Sequence, residues 1–464
     1  MKSLLAICLL SLASFSYAQE TSDTFQIKDY KYRTPGFKAL SFDFNFSGGF
    51  RREGVVDSIN NTQNSFGLSP ANFNFYKVSS SDSRLHQSTY IFTIEGYTNR
   101  VKTPHQETKQ KHGTAYFDWS TNTQYFRKNN WFWELGNRLK ILGDFGKNFT
   151  EPVTYRQSDI YINDNPVIGL GKGRLEMVND AQMALFILND LEAQGLIINK
   201  GSREQQNAFA QVITDINNQR VFDDRKKRIY ELRRIDSFIK NSGLSISTDI
   251  RHFTTINDNW IYAFNPLRQH GNQWYVRIRP GIELSRDNSN SDNDTILYER
   301  NFLYKTLSIG PEIGYESKKA ISLQWQRNFS FSFAYRYTHS DHSFREKRND
   351  TLLNSENDLY DDRLAEFRGS YSLGYFPNTR TYIAAELAGN VRHGNFLYNN
   401  ADGIIYGAGL NIQTSYFLGY RTRLMAGIGI NYSSQDFQPG PSEAIYQYYG
   451  FNTNISCSIS HNIF

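Results

Sequence analysis

The residues best equipped for chemistry in this chain of 464 residues fall into two arrangements. The first is His339-Ser340-Asp341-His342-Ser343. Two imidazoles around a carboxylate could ligate a metal, and a serine beside a histidine could begin an acyl transfer. Nothing nearby supplies the missing ligands or an orienting third group. The run therefore reads as the start of a polar loop, and the chain is expected to be neither an enzyme nor a cofactor carrier. The second arrangement is a set of charges on one phase of alternating segments: Glu134, Arg138, Arg277, Arg279, Glu283, Arg336, Glu366, Arg368 and Glu386. Lining a channel, such charges would form a constriction that sets ion preference. Lining a filled interior, they would cross-link the wall as ion pairs. Pattern alone leaves these two readings level. Gly169-Leu170-Gly171-Lys172-Gly173 lacks the serine or threonine that ends a phosphate loop and reads as a flexible junction. Cys457 reads as a small apolar residue.

Those charges need strands to hold them in phase. Asn328-Phe329-Ser330-Phe331-Ser332-Phe333-Ala334-Tyr335-Arg336-Tyr337-Thr338 places aromatics at every odd position. Only an extended strand turns that order into one greasy face and one wet face. A soluble sandwich would bury the greasy face against a second sheet; a barrel in a bilayer would turn it to lipid. Hydrophobic residues make up only 39% and mean hydropathy is −0.58, yet aromatics reach 15%. After the N-terminus no stretch of about 18 apolar residues occurs, which excludes a bundle of membrane helices. A barrel hides its hydrophobicity in every second residue, so the bulk numbers suit it. Alternating runs recur at residues 41–47, 72–78, 85–99, 114–126 and 131–142, more weakly at 155–170, and again from 273 to the end. Short turns such as residues 79–83 and 127–130 alternate with longer polar links at 51–67, 100–113, 340–363, 392–402 and 433–444. The count comes to about fourteen strands, with twelve and sixteen as its bounds.

Residues 1–18 carry Lys2, a short apolar core and Ser16-Tyr17-Ala18, the pattern of a signal peptide cut before Gln19. Its removal leaves Cys457 as the sole thiol and lowers the formal charge of +5 by one unit. So small a charge, with export, excludes nucleic acid as a partner. Residues 19–36 read as a lead, 37–168 and 244–464 as the two halves of the barrel, and 169–243 as an inserted three-helix subdomain. Within the insert, Asn179 with Gln182 and Ser202 with Gln205 look like capping boxes. These helices hang in the periplasm, plug the lumen or cap the outside, and strand parity favours the first, the side of the N-terminus. Arg225, Lys226, Lys227, Arg228, Arg233 and Arg234 of the third helix form either a solvated face offset by nearby carboxylates or a docking patch for lipid head groups or an acidic partner.

A cleaved signal, amphipathic runs of about ten residues and a terminal Phe464 together resemble Gram-negative outer-membrane β-barrel proteins, porin-like with a helical insert. The resemblance implies an all-β transmembrane antiparallel barrel in the outer membrane, in contact with its lipid. It also implies that the barrel-assembly machinery reads Phe464, although Ile455, Cys457, Ile459 and Ile463 are out of step with it. Two functions follow as expectations. One is a channel or transport barrel with a periplasmic helical module. The other is a non-conducting scaffold or secretion component that recruits periplasmic proteins through residues 174–243.

Overall fold

The computed structural model describes residues 25–55, 59–102, 107–150, 152–219, 224–246, 249–261, 268–293, 295–396, 401–419, 422–437 and 446–461. The expected signal, its cut before Gln19 and Phe464 lie outside these residues. The first strands are β1 (Thr34–Val55), β2 (Ile59–Ser80), β3 (Arg84–Lys102), β4 (Glu107–Phe126), β5 (Trp131–Thr150), β6 (Val153–Asp164) and β7 (Val167–Met177). Four helices follow: α1 (Asn179–Ala193), α2 (Arg203–Asn218), α3 (Asp224–Asn241) and α4 (Ile250–Ile261). The sheet resumes with β8 (Gln269–Ile278), β9 (Gly281–Asp292), β10 (Leu297–Ile309), β11 (Pro311–Ala320) and β12 (Trp325–Arg348). It ends with β13 (Thr351–Asn378), β14 (Thr381–Phe396), β15 (Ala401–Gly419), β16 (Thr422–Phe437) and β17 (Tyr446–His461).

These seventeen segments form one antiparallel sheet. Three strands are each cut in two without losing register. Both β6 and β7 pair with β5, where Leu139 faces Asp164 and Gly136 faces Val167. In the same way β9 continues β8 across Arg279-Pro280, and β11 continues β10 across Gly310-Pro311. Pro166, Pro280 and Pro311 sit at the breaks, where a proline has no N–H to give the ladder. Joined across the breaks, the segments make fourteen spans, the number the alternation predicts. Among the described residues no ladder joins β1 to β17.

One face of the sheet is apolar and exposed. On β12, Phe329, Phe331, Phe333, Tyr335 and Tyr337 are each more than a third exposed, while the intervening serines are half-buried. Trp131, Trp133 and Leu135 on β5 and Leu410 and Ile412 on β15 continue that face. Water-soluble monomers rarely expose so large an apolar surface. The aromatic band on β12 runs from Trp325 to Tyr337, roughly a dozen residues at about 3.3 Å each. Tilted by about 45°, that length covers about 30 Å, the thickness of a bilayer's hydrocarbon. Beyond Tyr337 the hairpin of β12 and β13 continues as polar strand to a tight turn at Asn349-Asp350, both at positive φ.

This corrects the expected loops. Residues 340–348 and 351–363 are strand, as are 51–55, 59–67, 100–102, 107–113, 392–396 and 433–437. Their side chains are too polar to mark a buried face, so period two is invisible there although the ladder persists.

The helical segment also differs from expectation. Residues 169–177 belong to β7, and a fourth helix, α4, occupies part of the stretch assigned to the second half of the barrel. Ala184, Leu188, Leu191, Phe209, Ile213, Ile235, Ile239 and Ile256 bury their stripes against one another. The N-terminal segment joins them through Phe25, Ile27, Tyr30 and Tyr32. The Ser202/Gln205 capping box forms as expected. Asn179 does not cap α1; its side chain accepts a 2.8 Å bond from the Arg268 backbone N–H instead. The helices lie at the rim where β1 begins and the 81–83 turn sits, here called the near rim. Their core reaches Val78 on β2 and Leu85 on β3, and also Ala320 on β11 and Leu323 before β12. One compact body thus touches spans far apart along the sheet, so the near rim curves around it.

Candidate solute path along the inward face

Register fixes which residues share the face opposite the aromatics. All nine charges singled out in the sequence lie on it. Their surroundings divide them into a buried cluster, open pairs and charges outside both.

The buried cluster is built on glycine. Gly169 and Gly171 of β7 lie on the inward phase between β5 and β8. A Cβ on Gly169 would lie 2.9 Å from Arg277 Cγ and 3.2 Å from Glu134 Oε2. A Cβ on Gly171 would lie 2.3 Å from Phe132 Cζ. The run expected to be a flexible junction lies within β7 and forms a furrow over which side chains of β5 and β8 meet. Across it Arg277 Nε donates to Glu134 Oε2 at 2.6 Å and Nη2 to Oε1 at 2.9 Å. Glu312 of β11 joins at 3.7 Å from Arg277 and 2.8 Å from Arg279. The Arg277 guanidinium also sits 3.5 Å from the centroid of the Tyr275 ring. Glu134, Arg277 and Glu312 are buried, so this wall is cross-linked by ion pairs.

The remaining pairs are wetter. Arg138 bonds Asp118 at 2.8 Å. Glu366 takes one 2.7 Å bond from Arg368 and another from Arg392, which leaves two guanidiniums on one carboxylate. Glu283 accepts a 3.0 Å bond from Asn163. Arg336, opposite Leu364, and Glu386, between Ser372 and Asn411, stand outside these clusters. A cavity of about 620 Å³ opens against this wall, bounded by Ser330, Ser332, Ser370, Asn390, Asn431 and Arg368, with Tyr275 and Glu316 at its edge. Serine, asparagine and glycine leave this side of the lumen wide, whereas on the β5–β8 side a smaller cavity of about 290 Å³ reaches Arg277 past Gln124, Gln273 and Lys318.

Glu312, Asp118, Arg392 and Tyr275 escaped the sequence reading. The break at Pro311 hid the phase of Glu312, and the other three are single polar or aromatic positions whose importance lies in a partner on another strand.

His339 and His342 do not converge. They lie on opposite faces of β12, His339 Nδ1 within 2.8 Å of Asp361 Oδ1 and His342 between the rings of Tyr304 and Tyr360. Among the described residues no group of three His, Cys, Asp or Glu side chains could hold a metal. Cys457 is exposed on the aromatic face, opposite Ala426 and in phase with Ile455 and Ile459.

The helices close on the near rim through polar as well as apolar contacts. Gln182 of α1 donates to the Leu323 carbonyl at 3.4 Å, beside Arg268, which leads into β8, is almost wholly buried, and donates to the carbonyls of Ser322, Leu323 and Trp325 and to Gln326 Oε1. Asn259 of α4 accepts from Thr379 at 3.3 Å, and Asp258 pairs with Arg380. Inside the module, Tyr30 shares a hydrogen bond with Thr214, which in turn donates to Asp180. Burial pushes the Asp180 carboxyl up to about 6, with the Thr214 and Asn217 bonds acting against the shift. Burial also lowers the His252 pKa, opposed by Asp236 at 3.3 Å.

Of the basic residues on α3, Lys227 and Arg228 pair with Glu231, which also accepts 2.7 Å from Trp260. Lys226, Arg233 and Arg234 border a surface groove of about 400 Å³. The Arg225 side chain lies outside the described residues.

The sequence matches no protein-family profile and no curated protein. Solved structures similar to it include OmpT, an outer-membrane protein of Vibrio cholerae, at 8% identity and a TM-score of 0.23, covering 93% of this chain and 98% of that one. The β domain of the Bordetella autotransporter BrkA is similar at 8% identity and 0.19, covering 92% of this chain and 99% of that one. OccK2 of Pseudomonas aeruginosa, solved with glucuronate, is similar at 10% identity and 0.17, covering 93% and 99%. All three are outer-membrane β-barrel proteins. Superpositions this loose carry no residue correspondence, and the assignment of faces rests on the register of this chain alone.

Proposed function

We propose that this chain is a non-catalytic transport barrel of the outer membrane, stoppered at its periplasmic mouth by the helical module. The observation that carries the reading is the division of the inward face. One wall is cross-linked by the Glu134–Arg277–Glu312 cluster, and the adjoining wall is lined by small polar residues around a cavity of about 620 Å³. Charge sits along a water-filled route while aromatics face the hydrocarbon. The helices share the near rim with the N-terminal segment, which is the periplasmic side in barrels of this kind.

Planar-bilayer recording of the full chain tests it. Wild type should show brief openings, and Asp258→Ala/Asn259→Ala, which removes the polar contacts of α4 with Thr379 and Arg380, should lengthen them. Silence from both would leave the scaffold reading, in which the groove beside Lys226, Arg233 and Arg234 receives an acidic periplasmic protein.

A further inference from the structure

The lipid-facing side of β1–β4 carries a feature that a plain hydrophobic wall would not have. Lys38 of β1 and Lys77 of β2 are direct partners in the ladder, both on the aromatic face. Like charges in facing positions destabilise a strand pair, and an ammonium beside hydrocarbon adds a further cost. Among the described residues neither lysine makes an ion pair with a carboxylate. Next to them lies a groove of about 590 Å³ whose walls are aromatic, with Tyr90 stacked on Trp119 at 6.2 Å and tilted against Phe75 at 5.8 Å.

The groove is graded along the strands. Lys77 lies three positions before the end of β2, so the ammonium groups sit near the rim, about 10 Å of strand from it. Beside them His86 and Ser88 form an outward polar ridge with Thr121 and Thr123: Ser88 donates to Thr121 at 3.0 Å, and His86 Nδ1 lies 2.8 Å from the Thr123 hydroxyl. Farther from the rim, the lining is wholly aromatic. Cations and hydroxyls at the interface, with rings extending inward from them, match the order of an anionic head group followed by acyl chains.

We propose that this groove is a binding site for one anionic phospholipid. Its phosphate lies between Lys38 and Lys77, and an acyl chain lies along Tyr90, Phe92 and Trp119. The phosphate removes the repulsion between the lysines, and the rings supply apolar contact that a bulk lipid would not keep. The proposal rests on the outward orientation of the aromatic face.

Native mass spectrometry of the detergent-purified full chain, titrated with phosphatidylglycerol or phosphatidylcholine, tests it. Wild type should retain one phosphatidylglycerol, favoured over phosphatidylcholine by about thirtyfold, from roughly fivefold per lysine. Lys38→Gln/Lys77→Gln should abolish that preference, and Lys38→Arg/Lys77→Arg should keep it. Lys172→Gln should leave it unchanged; Lys172 is an outward lysine near the same rim, seated over the Trp131 ring. Equal retention of the two lipids by wild type would overturn the proposal without reference to any variant. So would undiminished preference in the glutamine variant, or displacement of the lipid by millimolar inorganic phosphate. Insertion of wild type into vesicles, read separately, reports on the outward orientation itself.

Discussion

Changing Glu134 to alanine probes the cross-linked wall most sharply. Glu134 is 2% exposed, and its carboxylate takes both bonds from Arg277 and a further 2.8 Å bond from Asn122. Removing one partner of a buried pair costs about 3–5 kcal/mol, because the remaining charge is left without compensation. Here Arg277 keeps Glu312 at 3.7 Å and the Tyr275 ring at 3.5 Å, a cation–π contact worth about 1 kcal/mol or more. The net loss for Glu134→Ala should therefore be about 2–3 kcal/mol. Replacing both charges, Glu134→Leu with Arg277→Met, removes the desolvation cost along with the attraction and should stay within about 1 kcal/mol of wild type. Urea unfolding of barrels folded into short-chain lipid vesicles, followed by tryptophan fluorescence, gives both numbers. A loss below about 0.5 kcal/mol for the single variant would mean that water reaches the cluster. A double variant as unstable as the single one would mean that the furrow, rather than the ion pair, holds the wall.

Three further outcomes are expected. Gly171→Ala sets a methyl 2.3 Å from Phe132 and 2.5 Å from the Trp274 carbonyl, and should cost about 1–3 kcal/mol in the same unfolding assay. Arg368→Ala/Arg392→Ala leaves Glu366 alone beside the wide wall, so the reversal potential in a salt gradient should move toward cation preference; no movement would place the conducting path elsewhere. Asp180 has a folded pKa of about 6 against about 4 unfolded, so its ionisation opposes folding above pH 6 and that penalty fades as pH falls toward 4. Asp180→Asn should raise the melting temperature of the helical module at pH 8 and leave it unchanged near pH 4, as followed by helix ellipticity; an equal shift at both pH values would point to packing instead of charge.

The aromatic phase of β12 and the inward phase of the nine charges were legible because a lipid-facing strand repeats its chemistry every two residues. The Ser202/Gln205 cap and the apolar stripes of α1 to α3 were legible for the same kind of reason at a period of 3.6. What stayed hidden depends on partners distant in sequence. Asn257-Asp258-Asn259 has the composition of a turn, yet it is helical in α4, where Asn259 bonds Asp190 at 2.7 Å and Thr379. The glycines of β7 make sense only with Phe132, Glu134 and Arg277 above them. The polar hairpin of β12 and β13 has no buried face to reveal its period, and the three prolines hid the continuity of the spans they interrupt.

The aromatic face meets hydrocarbon and the serine face meets water. The direct test uses Phe331→Cys and Ser332→Cys, each placed in a Cys457→Ser background, carrying a fluorescent label and reconstituted in vesicles. The label at 331 should be quenched by brominated acyl chains and shielded from iodide, and the label at 332 should show the reverse. Iodide quenching of both, with no effect of brominated lipid, would put the aromatic face in water and exclude a membrane-spanning barrel.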